Sequence, residues 1–521
     1  MMRRGESVAA VAFTVATLVA WPSSAQEGSR VGAGTVGRAG APREPDVRNR
    51  PRPRIMLEPG DVVDVVDAFD DGDDFDLAVS LQFQYSAKRA RILRESAAFQ
   101  PGLTTGGFTS RLQNVAQYTE NTTRLVPRLD IGLYKDLALY ARFPFILENR
   151  RRLSGIDGTE NNQAGALGGA IDPTTNTREQ LFTLPFESPN RSGLEYIATG
   201  LDFGIFNQAR DDTKPTWILG LEGRFANFNP MHACNDAAPR CFDPGDINQD
   251  GVAQTDDFES IKSADDSGAG VTRGTFGLEV HSLVAKRIKY IEPYGGFRAL
   301  FEFQAPGSDF GQTDFQGALV NRPPIVGTVL VGMMVHPWED RENFGRLSFD
   351  FRFEGEYHSE GRDYSELFDA LGSSPANSLR QPRWSRFQDA CPGQACDPKS
   401  VIDQGSERSY FSGLSVVEAY GSYRGSTSVT WRASEYIKLN FGGAIRFDQP
   451  HGITHDQACN PDFTGDVGAS GPCRNDLGNN TFQATGVPNP AFRRSINEVG
   501  RRFYVDTSTT FEVFFTANFM F

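Results

Sequence analysis

Long apolar runs are missing from this chain once its first 25 residues are set aside. Nowhere else among the 521 residues does an apolar stretch approach the ~20 residues that a membrane-crossing helix needs. Basic residues are in deficit, with 52 Lys and Arg against 66 Asp and Glu and a formal net charge of -14. That balance argues against nucleic acid as a partner. Cysteine is scarce at 6, and no two cysteines have the Cys-x-x-Cys spacing or the histidine neighbours of a zinc set. A mean hydropathy of -0.40, taken alone, describes a soluble secreted protein. The residue pattern contradicts that.

The first 25 residues have three parts: Arg3 and Arg4, an apolar run from Val8 to Trp21, and the small residues Ser23-Ser24-Ala25. This is the form of a secretory signal cleaved before Gln26, leaving about -15 on the mature chain. No cysteine stands at that point, so lipid attachment is not indicated. Residues 26–74 are expected to form no packed domain. Pro42 to Arg54 reads as an extended linker. Asp61 to Asp76 is acidic, with Val62, Val65, Val66 and Phe69 at helical spacing. It fits equally a short amphipathic helix inside or beneath the domain C-terminal to it, or a solvated tail. In the exported setting the six cysteines pair locally as loop disulfides: Cys234 with Cys241, Cys391 with Cys396, Cys459 with Cys473.

From Phe75 onward, 40 Phe, 14 Tyr and 53 Gly across the chain serve strands and turns. Phe75, Leu77, Val79, Leu81, Phe83 and Tyr85 alternate with polar residues at period two. The same alternation recurs to the last strand, where Phe511, Val513, Phe515, Ala517, Phe519 and Phe521 form the apolar face. About twelve strands are predicted. Their connections alternate between short, such as Lys135-Asp136 and Ser434 to Tyr436, and long, such as Arg91 to Thr122 and Glu366 to Ser412. A soluble sandwich has no reason for that asymmetry, whereas a membrane barrel has short turns at one end and long loops at the other. All three cysteine pairs fall in long loops. The predicted fold is therefore all-β: a single transmembrane antiparallel barrel over 75–521.

On these residues the chain resembles bacterial outer-membrane β-barrel proteins, most specifically at the terminal Phe519-Met520-Phe521. The resemblance implies that Phe519 and Phe521 form the signal read by the barrel-assembly machinery, and that the mature protein resides in the outer-membrane bilayer. The glycine usual five residues before the end is Thr516 here. The strand containing Phe143-Pro144-Phe145 is faintly similar to barrels that carry hydrophobic solutes.

In such a barrel the polar strand faces line the lumen, among them Arg142, Arg298, Glu302, Asp350, Arg352, Glu354 and Glu418. Both signs are mixed, so no single-sign filter is expected, and an excess of carboxylates predicts a mild cation preference. Roughly a dozen strands lie between barrels filled by side chains and open porins, which leaves a packed and an open lumen both standing. Asp246, Asn248, Asp250, Val252, Gln254 and Asp257 stand at positions 1, 3, 5, 7, 9 and 12 of a calcium loop, with Gly251 at the turn. The loop resembles dockerin-like and EF-hand sites and predicts one Ca²⁺; an Asx-rich surface turn is the alternative. His358-Ser359 with Glu356 is the nearest approach to a hydrolase set, and no enzyme is expected. The expected function is a channel or transporter for small solutes. The alternative is a surface scaffold whose braced loops contact other envelope proteins.

Overall fold

The computed structural model describes Val65, Val66 and residues 76–521, apart from 101–106, 157–166, 172–177, 237–239, 242–268, 307, 312–317, 341–342, 380, 383–407, 410, 435, 463–466, 468–469, 471–472 and 490. The leader (1–25), most of 26–74, the calcium-loop residues 246–257, Cys391 and Cys396 lie outside the described residues.

Alternating sequence becomes a closed ring of twelve antiparallel strands. They are β1 (Leu77–Gln100), β2 (Gly107–Tyr134), β3 (Leu137–Arg142, resuming at Phe145–Ser154) and β4 (Arg191–Leu194, resuming at Ile197–Phe206). Next come β5 (Thr216–Ala226), β6 (Thr275–Ala285), β7 (Ile291–Gln304) and β8 (Val326–Asp340). The ring continues through β9 (Gly345–His358), β10 (Tyr420–Arg432), β11 (Ile437–Asp448) and β12 (Ser508–Met520). Each pairs with its neighbour in sequence order, and β12 closes on β1 from Ala78↔Met520 to Arg89↔Thr509. The Leu77 and Phe521 backbones seal the seam with N–H to O=C bonds of 3.0 and 2.8 Å. No edge remains to be covered.

Burial runs opposite to a soluble core. On β9, Phe351 and Phe353 are each 52% exposed, while Asp350 and Glu354 are 5% and 7%. The exposed apolar surface is continuous around the ring, far larger than a soluble monomer presents to water. Aromatic residues crowd both rims of this band. Tyr134, Tyr290, Trp338, Trp431 and Tyr436 stand at the short-turn end, with Tyr357, Tyr423 and Phe447 at the other. Tyr423 and Trp431 on β10 are roughly 26 Å apart along the strand, about 20 Å along the axis after a barrel tilt of about 40°. That matches an apolar membrane slab.

One connection departs from the sequence pattern. Arg91 to Thr122 reads as a long loop, yet β1 and β2 continue pairing out to Gln100↔Gly107, past a register shift at Ile92/Leu93. Backbone pairing persists there because the two strands supply each other's hydrogen bonds even where the face pattern fades. Described parts of the remaining long connections pack together over the ring. They build a cap with its own buried core, including Leu181, Phe182, Leu367, Leu371, Phe411, Ile453, Ile496 and Phe503. Cys459–Cys473 is a disulfide in this cap. Cys234 is disulfide-bonded too, and faces Cys241 in a two-stranded ladder.

Candidate functional site

Two interior cavities, of about 390 and 510 Å³, meet inside the ring at Gln82, Gln84, Arg124, Arg298 and His358. Volumes of this size fall within the range of small-molecule sites. Period-two alternation sends every second residue inward, and many of those residues are charged, with apolar side chains such as Val126, Leu300 and Val326 among them.

On one wall Arg142 donates to Glu222 at 2.6 Å, Arg224 donates to the same carboxylate at 2.6 Å, and Arg224 also pairs with Glu279. Tyr196 lies beneath both guanidiniums, 5.4 Å from each. It reaches that place because two adjacent strands break together. Proline has no N–H to give the ladder, so β3 is interrupted at Phe143-Pro144, and β4 pauses opposite, where Glu195 N–H donates to Pro144 O at 2.8 Å. Deeper on this wall His281 lies 2.8 Å from Asp202, crossing directly over Gly220. A Cβ at Gly220 would overlap both His281 Nε2 and Asp202 Oδ1, so only glycine admits the contact.

The opposite wall carries Arg352 and Glu354 at 3.7 Å, Glu354 and Arg424 at 3.1 Å, and Arg424 and Glu512 at 2.8 Å. Asp350 accepts from Arg352 at 3.1 Å and from the Tyr294 hydroxyl. Arg298 faces both cavities. Glu302 accepts from Arg273 at 3.0 Å. Arg142, Arg298, Glu302, Asp350, Arg352 and Glu354 thus all face the bore. Glu418 does not: β10 starts only at Tyr420, and Glu418 sits in the cap against His455 at 3.1 Å. Phe519 and Phe521 are 41% and 63% exposed on the outer surface.

Both ends are obstructed. At the short-turn end Val65 packs against Ile218, Leu283, Tyr294, Leu330 and Met334, an apolar floor beneath the charged layer. Val66, only 3% exposed, is buried with Ala78, Ala138 and Met520. Met334 also lines the larger cavity, so the cluster that Val65 packs against reaches that cavity from the short-turn side.

At the long-loop end residues 359–379 turn inward. Asp363 pairs with Arg273 at 3.0 Å, Glu366 with Lys88 at 2.9 Å, and Asp369 with Arg191 at 2.6 Å. Asp369 stands in α1 (Phe368–Gly372), every residue of which is buried. Burial opposes the charge on Glu366, but the Lys88 ammonium holds its carboxyl below the ordinary value. Burial prevails at Asp363, whose carboxyl is raised despite Arg273. Sequence reading misses these latch carboxylates. The signal is present in Leu367, Phe368 and Leu371, an apolar face at helical spacing inside a connection read only as a long loop.

Of the hydrolase-like set, His358 and Glu356 are brought together, while Ser359 is engaged by the backbone. His358 Nε2 lies 2.8 Å from Glu356 and its ring stacks on Tyr420 at 4.4 Å, while Ser359 Oγ accepts from Ile325 N–H.

No protein family profile matches the chain, and no curated protein matches it. Solved structures do. An outer membrane channel from Pseudomonas putida F1 is 10% identical over 89% of this chain and 100% of its own, with a TM-score of 0.32. A FadL homologue from Pseudomonas aeruginosa is 8% identical over 85% and 90%, at 0.30. The outer membrane protease OmpT from Escherichia coli is 8% identical over 86% and 96%, at 0.23. Likenesses this remote, spanning a channel and a protease, say nothing about cargo or chemistry. The closed ring, the apolar band and the charged bore decide the class. This chain is a transmembrane β-barrel of the outer-membrane type.

Proposed function

We propose that the barrel is a gated channel for small solutes in the bacterial outer membrane, closed by Val65-Val66 below and by residues 359–379 above. The observation that carries this reading is the cavity pair: the charged interior is not packed shut but surrounds space between two separate closures. A barrel built only as a membrane anchor needs neither closure. Charges with this degree of burial are tolerated when paired or wet, and the cavities let water reach many of them. Proteoliposomes containing the full chain should swell in isotonic solutions of small polar solutes, slowly because both gates are shut. Swelling no faster than that of protein-free liposomes, for every solute and at every membrane voltage tried, would remove the channel reading.

A second reading has its own support. The cap carries a buried core and disulfide bracing, which suits a surface that contacts other envelope components. On that reading the barrel conducts nothing even after both closures are released.

The calcium loop is a proposal from sequence alone, with Asp246, Asn248, Asp250, Val252, Gln254 and Asp257 holding one Ca²⁺. Calorimetry should show binding to the parent chain and none to Asp246→Ala or Asp250→Ala. Equal binding in all three would refute it.

A further inference from the structure

The two charged walls stand opposite one another. In a ring of twelve strands, β3 to β6 face β9 to β12. One wall carries Arg142, Glu222, Arg224 and Glu279; the other carries Arg352, Glu354, Arg424 and Glu512. Along these contacts the sign alternates, and the cavity linings are close to balance, with five arginines against five carboxylates in the smaller and six cations against five carboxylates in the larger. Selective pores work otherwise, by rings of one sign that favour the opposite ion. Here an ion of either sign meets attraction and repulsion in nearly equal measure on both sides.

These groups are paired, yet their capacity is not used up. A guanidinium has five N–H donors and a carboxylate about four lone-pair sites, and each pair above uses one or two of them. A solute carrying an ammonium and a carboxylate together can therefore place each beside its opposite without breaking the wall. Apolar side chains such as Val126, Leu300 and Val326 share the smaller cavity with these charges, so the lining offers a zwitterion's short carbon skeleton a place as well.

Resting on the channel reading, we infer that the cargo class is small zwitterions, net-neutral solutes with one ammonium and one carboxylate. The carboxylate docks against Arg224 or Arg424, and the ammonium against Glu279 or Glu512. Uptake is then set by dipole matching, not by net charge. The mild cation preference expected from composition gives way to near-indifference between K⁺ and Cl⁻.

The test uses the full chain carrying Val65→Asp and Val66→Asp, which releases the floor. In proteoliposomes, glycine and alanine should enter about threefold faster than polyols of equal size, an advantage on the scale of one exposed ion pair. In bilayers under a KCl gradient, the K⁺ to Cl⁻ permeability ratio should lie within about twofold of one, an energetic difference well below a tenfold step. Glu279→Gln with Glu512→Gln should shift that ratio toward Cl⁻ and abolish the glycine advantage. Arg424→Gln should shift it toward K⁺, a second route if the first variant fails to assemble. Equal entry of polyols and zwitterions, or a parent pore strongly selective for one ion, overturns the zwitterion inference while leaving a channel. No entry of any solute when Glu366→Gln is added to weaken the cap as well overturns the channel reading, and this inference with it.

Discussion

Replacing Val65 and Val66 together by aspartate should raise time-averaged conductance at least about tenfold, which needs a shift of only about 1.4 kcal/mol toward the open state. The two valines sit among Ile218, Leu283, Tyr294, Leu330, Met334, Ala78 and Met520, and the cation next to that set, Arg352 above Tyr294, is already paired with Asp350. Burying an unpaired carboxylate in such a place costs several kcal/mol, so the segment leaves the bore for water. Val65→Leu with Val66→Leu, which keeps the apolar contact, should leave conductance at the parent level. Planar-bilayer recording of the three chains gives the comparison. An aspartate variant as silent as the parent means that the valine pair does not control the passage.

Asp369→Ala should loosen the cap by about 3–5 kcal/mol, the cost of stripping one partner from a buried ion pair. Arg191 and Asp369 are 1% and 4% exposed, joined by two bonds of 2.9 and 2.6 Å, and Asp369 also accepts Cys234 N–H at 3.1 Å. The substitution leaves the guanidinium donating only to the carbonyls of His232 and Ala269 among the described residues. Asp369→Asn keeps an acceptor for Cys234 and should lose less. Protease added to sealed proteoliposomes should cut the alanine chain within the cap at concentrations that spare the parent. Heat-modifiable migration of the barrel on detergent gels should not change. Parent-like resistance of the alanine chain would show that α1 is not fastened through this pair.

The barrel is legible in the sequence because its signal is geometric. Phe351 and Phe353 against Asp350 and Glu354 can be sorted to two faces without any knowledge of contacts, and the fixed period of two carries that sorting along every strand. Strand ends are less legible. β1 and β2 extend far beyond the alternating stretch, since pairing in the 86–100 and 107–122 segments depends on the partner strand as much as on each sequence. The luminal direction of Arg142 or Glu354 follows from periodicity, but their partners do not. Glu222 is 80 residues from Arg142 in sequence, and Glu354 is 70 from Arg424. Only closure of the ring brings them together. The cap is least legible of all. A long loop in a membrane barrel has no period to read, and whether Asp363, Glu366 and Asp369 point to water or to Arg273, Lys88 and Arg191 is decided by the wall they fold against.

Whether the space inside the ring is a passage is tested most directly by single-channel recording of a chain with both closures weakened, Val65→Asp and Val66→Asp together with Glu366→Gln. Glu366→Gln leaves Lys88 its second partner, Asp448 at 3.3 Å, so the wall stays satisfied while the cap contact weakens. A gated passage should give discrete steps whose size rises in proportion to salt concentration and whose open time exceeds that of either lesion alone. Steps absent from a correctly inserted, heat-modifiable barrel would contradict the channel, and the cavities would then be wet space inside an anchor.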